Sequence, residues 1–209
     1  MTETLQYITQ NHSKWSHAQL AEKACKHGVR WIQLRMKNAT VEELLEQGSK
    51  VRKICSSYGA TFILNDHVEI AKEINADGVH IGLNDMSITK ARAILGPNKI
   101  IGATANTIED ILAHEKSGVD YVGLGPFRQT STKKNLSPLL GLKGYQEILT
   151  QLNLKNVSIP IVAIGGIEKE DFGNLFNLGI DGMAVSGLIT RAFDQNEDVS
   201  RFTKKEAQL

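Results

Sequence analysis

The sequence predicts a single-domain (β/α)8 TIM barrel. Three observations predict it: eight short apolar runs recur along the 209 residues, amphipathic segments fill the intervals, and the runs are continuously apolar rather than alternating. Continuous runs suit parallel strands covered on the outside by helices, whereas strict alternation marks a sheet with one wet face. Eight βα units in about 200 residues make a minimal barrel. An open doubly wound sheet is the competing arrangement.

In chain order the strand candidates are LQYIT (5–9), WIQLR (31–35), TFILN (61–65), GVHIG (78–82), KIIGAT (99–104), YVGLG (121–125), PIVAIG (160–165) and GMAVSG (182–187). Between them lie residues at helical spacing, such as Val41, Leu44, Leu45, Val51 and Ile54, or Ile108, Ile111 and Leu112. Thr40 and Thr107 stand where a helix N-cap belongs, and Glu109 and Asp110 put negative charge at the positive helix start. The segment 126–143, PFRQTSTKKNLSPLLGLK, is longer than the roughly 2–6 residues of ordinary βα loops and is rich in hydroxyls and cations. It is expected to be a flexible active-site lid. Beyond Phe193 the chain turns polar, and a solvated terminal helix and tail are expected. No repeat or Pro/Gly-rich linker divides the chain, so residues 1–209 read as one domain.

With 24 basic and 23 acidic residues, the net charge of +1 gives no global reason to expect nucleic acid or a membrane surface as partner. Anion binding must then be local. Cys25 and Cys55 lack CxxC spacing and read as reduced thiols within helices, and no window approaches the roughly 20 apolar residues that span a bilayer. A cytoplasmic monomer or small homo-oligomer is expected.

Barrel enzymes carry their chemistry at the C-terminal ends of the strands. The second strand ends in Gln33, Arg35 and Lys37, which at period two share one side. A structural salt-bridge network is the alternative to an anion site there. Asn65-Asp66 ends the third strand and Asn84-Asp85 follows the fourth. Either aspartate alone could be a helix cap, but together they suit a hard cation such as Mg²⁺, which takes one or two carboxylates and completes its shell with water and substrate phosphate. His80 reads as a satisfied core histidine and His67 as part of a first helical turn, so zinc is disfavoured. Thr104 and Asn106 close the fifth strand, and Thr130, Ser131, Thr132 and Lys133 form a hydroxyl-rich basic loop, suited either to phosphate or to water. Gly165-Gly166 and Ser186-Gly187 place glycines after the last two strands, where main-chain N–H groups can approach an anion. Two anion-binding regions at one mouth imply two phosphorylated small-molecule substrates.

These motifs, QLRMK (33–37), ND (65–66), ADGVHIG with Asp85 downstream, GPFRQTSTKK (125–134), AIGGI (163–167) and AVSG (184–187), resemble the thiamine-phosphate synthase family over nearly the whole chain, including the 19-residue spacing from Asp66 to Asp85. The resemblance implies a transferase that joins a hydroxymethylpyrimidine diphosphate to a thiazole phosphate, releasing pyrophosphate by a dissociative substitution. It implies that Gln33, Leu34, Arg35, Met36, Lys37, Asn65, Thr104 and Lys133 contact the pyrimidine diphosphate, with Arg35, Lys37 and Lys133 catalytic. It further implies that Asp66 and Asp85 bind one Mg²⁺, and that Thr130, Ser131, Thr132, Gly166, Val185 and Ser186 cradle the thiazole phosphate. Met36, Leu83 and Asn106 depart from the family's commonest residues, an acid, glutamine and histidine respectively. A thiazole tautomerase on the same barrel and a non-catalytic phosphate sensor are the rival readings.

Overall fold

A computed structural model describes residues 3–129 and 138–202. Eight parallel strands close into a barrel in chain order: β1 (Leu5–Ile8), β2 (Trp31–Leu34), β3 (Thr61–Asn65), β4 (Gly78–Ile81), β5 (Ile100–Ala105), β6 (Tyr121–Leu124), β7 (Ile161–Ile164) and β8 (Gly182–Val185). β8 pairs with β1, Leu5 lying opposite Met183, so no sheet edge is left open. The helices are α1 (His17–Lys26), α2 (Val41–Tyr58), α3 (Val68–Glu73), α4 (Ile88–Leu95), α5 (Ile108–Ser117), α6 (Gly141–Leu154), α7 (Phe172–Asn177) and α8 (Gly187–Asp194). The closed barrel, and not the open doubly wound sheet, is the architecture.

Side chains alternate between two cores. Ile8, Trp31, Ile63, Tyr121, Val162 and Ala184 fill the barrel interior. Tyr7, Ile32, Leu34, Phe62 and Val79 point outward into the larger layer beneath the helices. The runs are continuously apolar because both faces of each strand are buried.

Local chemistry sets the helix ends. Ser16, Thr40 and Thr107 each accept the N3 main-chain N–H and receive the N3 side chain in return, closing three capping boxes. Such a cap is worth about 1 kcal/mol. Gly59 and Gly118 end α2 and α5 at φ of 63° and 75°, where a Cβ is costly.

Three expectations need correction. Arg35, expected within the second strand, lies just beyond it, because β2 stops at Leu34. The expected lid 126–143 ends earlier than its bounds, since Gly141, Leu142 and Lys143 already form the first turn of α6; Phe127 is buried against Tyr145, and residues 130–137 of the segment lie outside the described residues. Both ends of that segment are pinned: Phe127 N–H donates to Ile164 O at 2.9 Å, and Leu140 N–H to Pro126 O at 3.0 Å. The stretch after Phe193 is not simply solvated, since Val199 and Phe202 fold back and bury their side chains, Phe202 facing Phe172 at 6.2 Å. Cys25 and Cys55 are free and buried in α1 and α2. Among the described residues, no helix is long and apolar enough to cross a membrane.

Candidate active site

The C-terminal ends of the strands open into one cavity of about 660 Å³. That volume lies within the range of small-molecule sites. Gln33, the last inward side chain of β2, is 1 % exposed and donates from Nε2 to Gln6 Oε1 at 3.0 Å. Arg35 and Lys37 follow beyond the strand end, and both line the cavity. The main-chain N–H of Arg35 donates to Thr9 Oγ1 at 3.3 Å, which ties its position to the end of β1. Burial lowers the guanidinium pKa, partly offset by the charge of Asp66, yet arginine starts high enough to stay charged at neutral pH. Leu34 and Met36 point the other way. Leu34 is fully buried in the outer layer and Met36 packs against it, so neither side chain lines the cavity.

Asn65 closes β3, nine-tenths buried, and the chain then turns sharply at Asp66, whose φ of 65° lies in the left-handed region that Asp and Asn tolerate better than other side chains. That turn aims the carboxylate into the mouth. Lys37 Nζ donates to Asp66 Oδ2 at 2.5 Å. Asp85 does not cap α4; Ser87 does, and Asp85 Oδ2 instead accepts from Gly82 N–H at 3.0 Å. A Cβ built on Gly82 would lie 2.5 Å from Asp85 Oδ2 and 4.0 Å from Asp66 Oδ1, so the two carboxylates converge over a glycine, and a methyl group there would displace the Asp85 carboxylate. Their acidities split. Burial, then the hydrogen bond and charge of Asp66, push Asp85 upward. Burial also opposes ionisation of Asp66, but the Lys37 ammonium outweighs it and holds that carboxyl below its usual range. Two crowded carboxylates, one of them bonded to Lys37, are a hard, oxygen-only donor set.

Among the described residues, no group of three or more His, Cys, Asp and Glu forms a metal-ligand cluster. A cation held at Asp66 and Asp85 must therefore take most of its shell from water and substrate, which is the habit of Mg²⁺ and not of zinc. His67 is the N-cap residue of α3 and makes no side-chain cap bond. His80 is 4 % exposed, bonded to Tyr121 Oη and Thr104 Oγ1 at 3.0 Å each, and lines the cavity floor. Asn106 lines the cavity and donates from its amide to Gly125 O.

The opposite wall is built from main chain. Gly165 and Gly166, at φ of 94° and 69°, turn the chain after β7, and a Cβ on Gly166 would strike Gln129 O at 2.9 Å. Val185, Ser186 and Gly187 lead from β8 into α8, with Ser186 Oγ donating to Gln10 Oε1 at 2.8 Å. Thr130, Ser131, Thr132 and Lys133 lie outside the described residues.

Sequence reasoning missed Thr9, Gln10 and Asn11 after β1, and the Glu168 and Arg191 pair, bonded at 2.7 and 2.5 Å, all of which line the cavity. The first three were findable. Thr9 closes the first apolar run and the polar Gln10 and Asn11 follow it, at a strand end like those of strands 2 to 8.

The family model described as "Thiamine monophosphate synthase" matches residues 5–189. A thiamine-phosphate synthase of Phocaeicola vulgatus is 49% identical over 200 residues, covering 96% of each chain. One of Flavobacterium psychrophilum is 46% identical over 205 residues, covering 98% of this chain and all of that one. Among solved structures, a thiamine phosphate pyrophosphorylase from Pyrococcus furiosus superposes with a TM-score of 0.80 at 33% identity, covering 98% of this chain and 96% of that one.

Proposed function

The chain belongs to the thiamine monophosphate synthase family and is a transferase of the thiamine-phosphate synthase type, and from that premise we propose how its mouth divides the reaction. The charged half, formed after β2, β3 and β4, takes the pyrimidine diphosphate. The main-chain half, formed after β7 and β8, takes the thiazole phosphate. The observation that carries this reading is the convergence of Asp66 and Asp85 beside Lys37 and Arg35 in the same cavity as Gly166 and Ser186.

Gln33 reads the pyrimidine ring from the cavity floor, with Thr104 opposite. Arg35, Lys37 and Asn65 hold the diphosphate, joined by Lys133 from the segment outside the described residues. Asp66 and Asp85 hold Mg²⁺, which when bound supplies positive charge to the leaving diphosphate. The C–O bond to the diphosphate breaks with its electron pair going to the leaving oxygen. The aminopyrimidine spreads the positive charge left on carbon, and the thiazole nitrogen lone pair then forms the new C–N bond. No protein nucleophile is required. Arg35 and Lys37 stabilise charge as it gathers on pyrophosphate, and preorganised donors of this kind are each worth about 10²–10³ in rate. Gly166, Val185 and Ser186, with Thr130, Ser131 and Thr132, hold the second substrate by its phosphate, which replaces a bimolecular search by a positioned attack. The isomerase and sensor readings leave the charged half of the mouth without a task.

The test is substrate dependence. Pyrophosphate should appear only when both phosphorylated substrates are present, with thiamine phosphate formed in equal amount. Tight binding of the thiazole phosphate with no turnover would instead favour the sensor.

A further inference from the structure

A chain of side chains crosses the barrel interior just beneath the cavity. Gln33 Nε2 donates to Gln6 Oε1 at 3.0 Å, and Gln6 Nε2 donates to Tyr121 Oη at 3.4 Å. Tyr121 Oη lies 3.0 Å from His80 Nδ1, and His80 Nε2 lies 3.0 Å from Thr104 Oγ1. Gln6, Gln33, Tyr121 and His80 are each 4 % exposed or less. The chain has a direction. Tyr121 Oη accepts from Gln6, which leaves its own hydrogen able to go to His80 Nδ1; in the tautomer we assign, His80 carries its proton on Nε2 and donates to Thr104. Burial raises the Tyr121 phenol well above its ordinary pKa, so the hydroxyl keeps that hydrogen.

The two neighbouring strands make room for the chain. A Cβ on Gly102 would fall 2.1 Å from Tyr121 Cζ and 2.5 Å from its Oη, and a Cβ on Gly123 would fall 2.9 Å from His80 Cε1. Glycine weakens a strand interior, and its presence there commonly marks a close approach by another group. Here the approaching groups are the two middle links.

We propose that Gln6, Tyr121 and His80 are positioning residues whose hydrogen-bond chain ties the Gln33 amide to the Thr104 hydroxyl and sets which atoms each presents to the pyrimidine substrate. With one Nε2 hydrogen spent on Gln6, Gln33 offers the mouth a carbonyl acceptor and its second N–H. With an N–H arriving from His80, Thr104 offers its hydroxyl hydrogen as a donor. An amide held this way matches an amino group beside a ring nitrogen, and its acceptor faces the ring whose amine becomes electron-poor as the diphosphate leaves. The inference rests on the reading of Gln33 and Thr104 as contacts to the pyrimidine substrate.

Tyr121→Phe removes one oxygen and keeps the ring, leaving Gln6 Nε2 and His80 Nδ1 facing carbon. The expected result is a rise of about tenfold or more in KM for the pyrimidine diphosphate, with KM for the thiazole phosphate within about twofold of wild type. Gln6→Leu breaks the chain at another link and should give the same selective pattern; it decides the matter if Tyr121→Phe does not fold. Unchanged kinetics, or an equal rise in both KM values, would overturn the proposal, since a purely structural defect has no reason to favour one substrate. Ring ¹⁵N NMR of the wild-type protein, with His80 assigned through His80→Asn, is the second readout. A neutral ring protonated on Nε2 is expected, and a proton on Nδ1 would contradict the chain. If wild-type protein released no pyrophosphate, the functional reading would fail, and the NMR result would still decide the chain.

Discussion

At the N-terminal end of the barrel, Asp77, Asp120 and Asp181 each accept a main-chain N–H near the start of a neighbouring strand, from Phe62 at 2.8 Å, Ile101 at 2.7 Å and Ile161 at 2.7 Å. At the mouth, Asp66 and Asp85 face each other, with Lys37 bonded to Asp66 and the charge of Arg35 acting on it. The lower set is supplied with partners: Asp77 also takes Arg52 on both oxygens, at 2.7 and 2.8 Å, and Asp120 takes Arg92 at 2.8 Å. In the upper pair Asp85 accepts from the Gly82 N–H, and its pKa is pushed upward by burial and by Asp66. Five aspartates in one scaffold thus separate by what surrounds them. The three lower carboxylates tie neighbouring strands together, whereas the two upper ones crowd each other over Gly82.

Substitutions at the two ends should fail in opposite ways. Asp66→Asn keeps a residue that tolerates the left-handed turn and relieves the like-charge crowding, so it should melt near wild type while pyrophosphate release falls by about 10²-fold or more. A variant that lost stability and kept its rate would put Asp66 in the structural class. Gly82→Ala drives a methyl group into the space of Asp85 Oδ2 without removing either carboxylate. The magnesium concentration for half-maximal activity should rise about 10-fold, the scale on which groups supporting metal ligands act. Magnesium titration of the two proteins side by side reads this directly. Asp77→Ala leaves the Phe62 N–H and Arg52 without their acceptor, at a cost of about 1–3 kcal/mol. For a chain of this size that corresponds to a fall of roughly 3–10 °C in Tm, with both KM values unchanged. A change in KM with no change in Tm would erase the distinction between the two ends.

The barrel was readable because eight apolar runs buried on both faces leave a strong pattern, and because Thr40 and Thr107 mark helix starts by their own chemistry. Strand ends were less readable: Arg35 lies just past Leu34, the last residue of β2 to pair with β3, although the apolar run invites it in. The charged half of the mouth was legible from residue type and place. Its electrostatics were not, because the left-handed turn at Asp66 and the narrow space over Gly82 depend on main-chain angles and close approach. The interior chain was hidden for a similar reason. Gln6, Tyr121 and His80 stand 115 and 41 residues apart along its successive links and look like isolated polar residues within apolar strands. Leu34 and Met36 show the converse, placed at the site by a contiguous motif while alternation turns their side chains away.

The proposed function requires the two upper aspartates to act with a divalent cation. Pyrophosphate release from the two phosphorylated substrates, followed with magnesium and again after chelation, tests it most directly. Activity should vanish with the chelator and return on adding excess Mg²⁺, and release that continues undiminished in chelator would contradict the assignment.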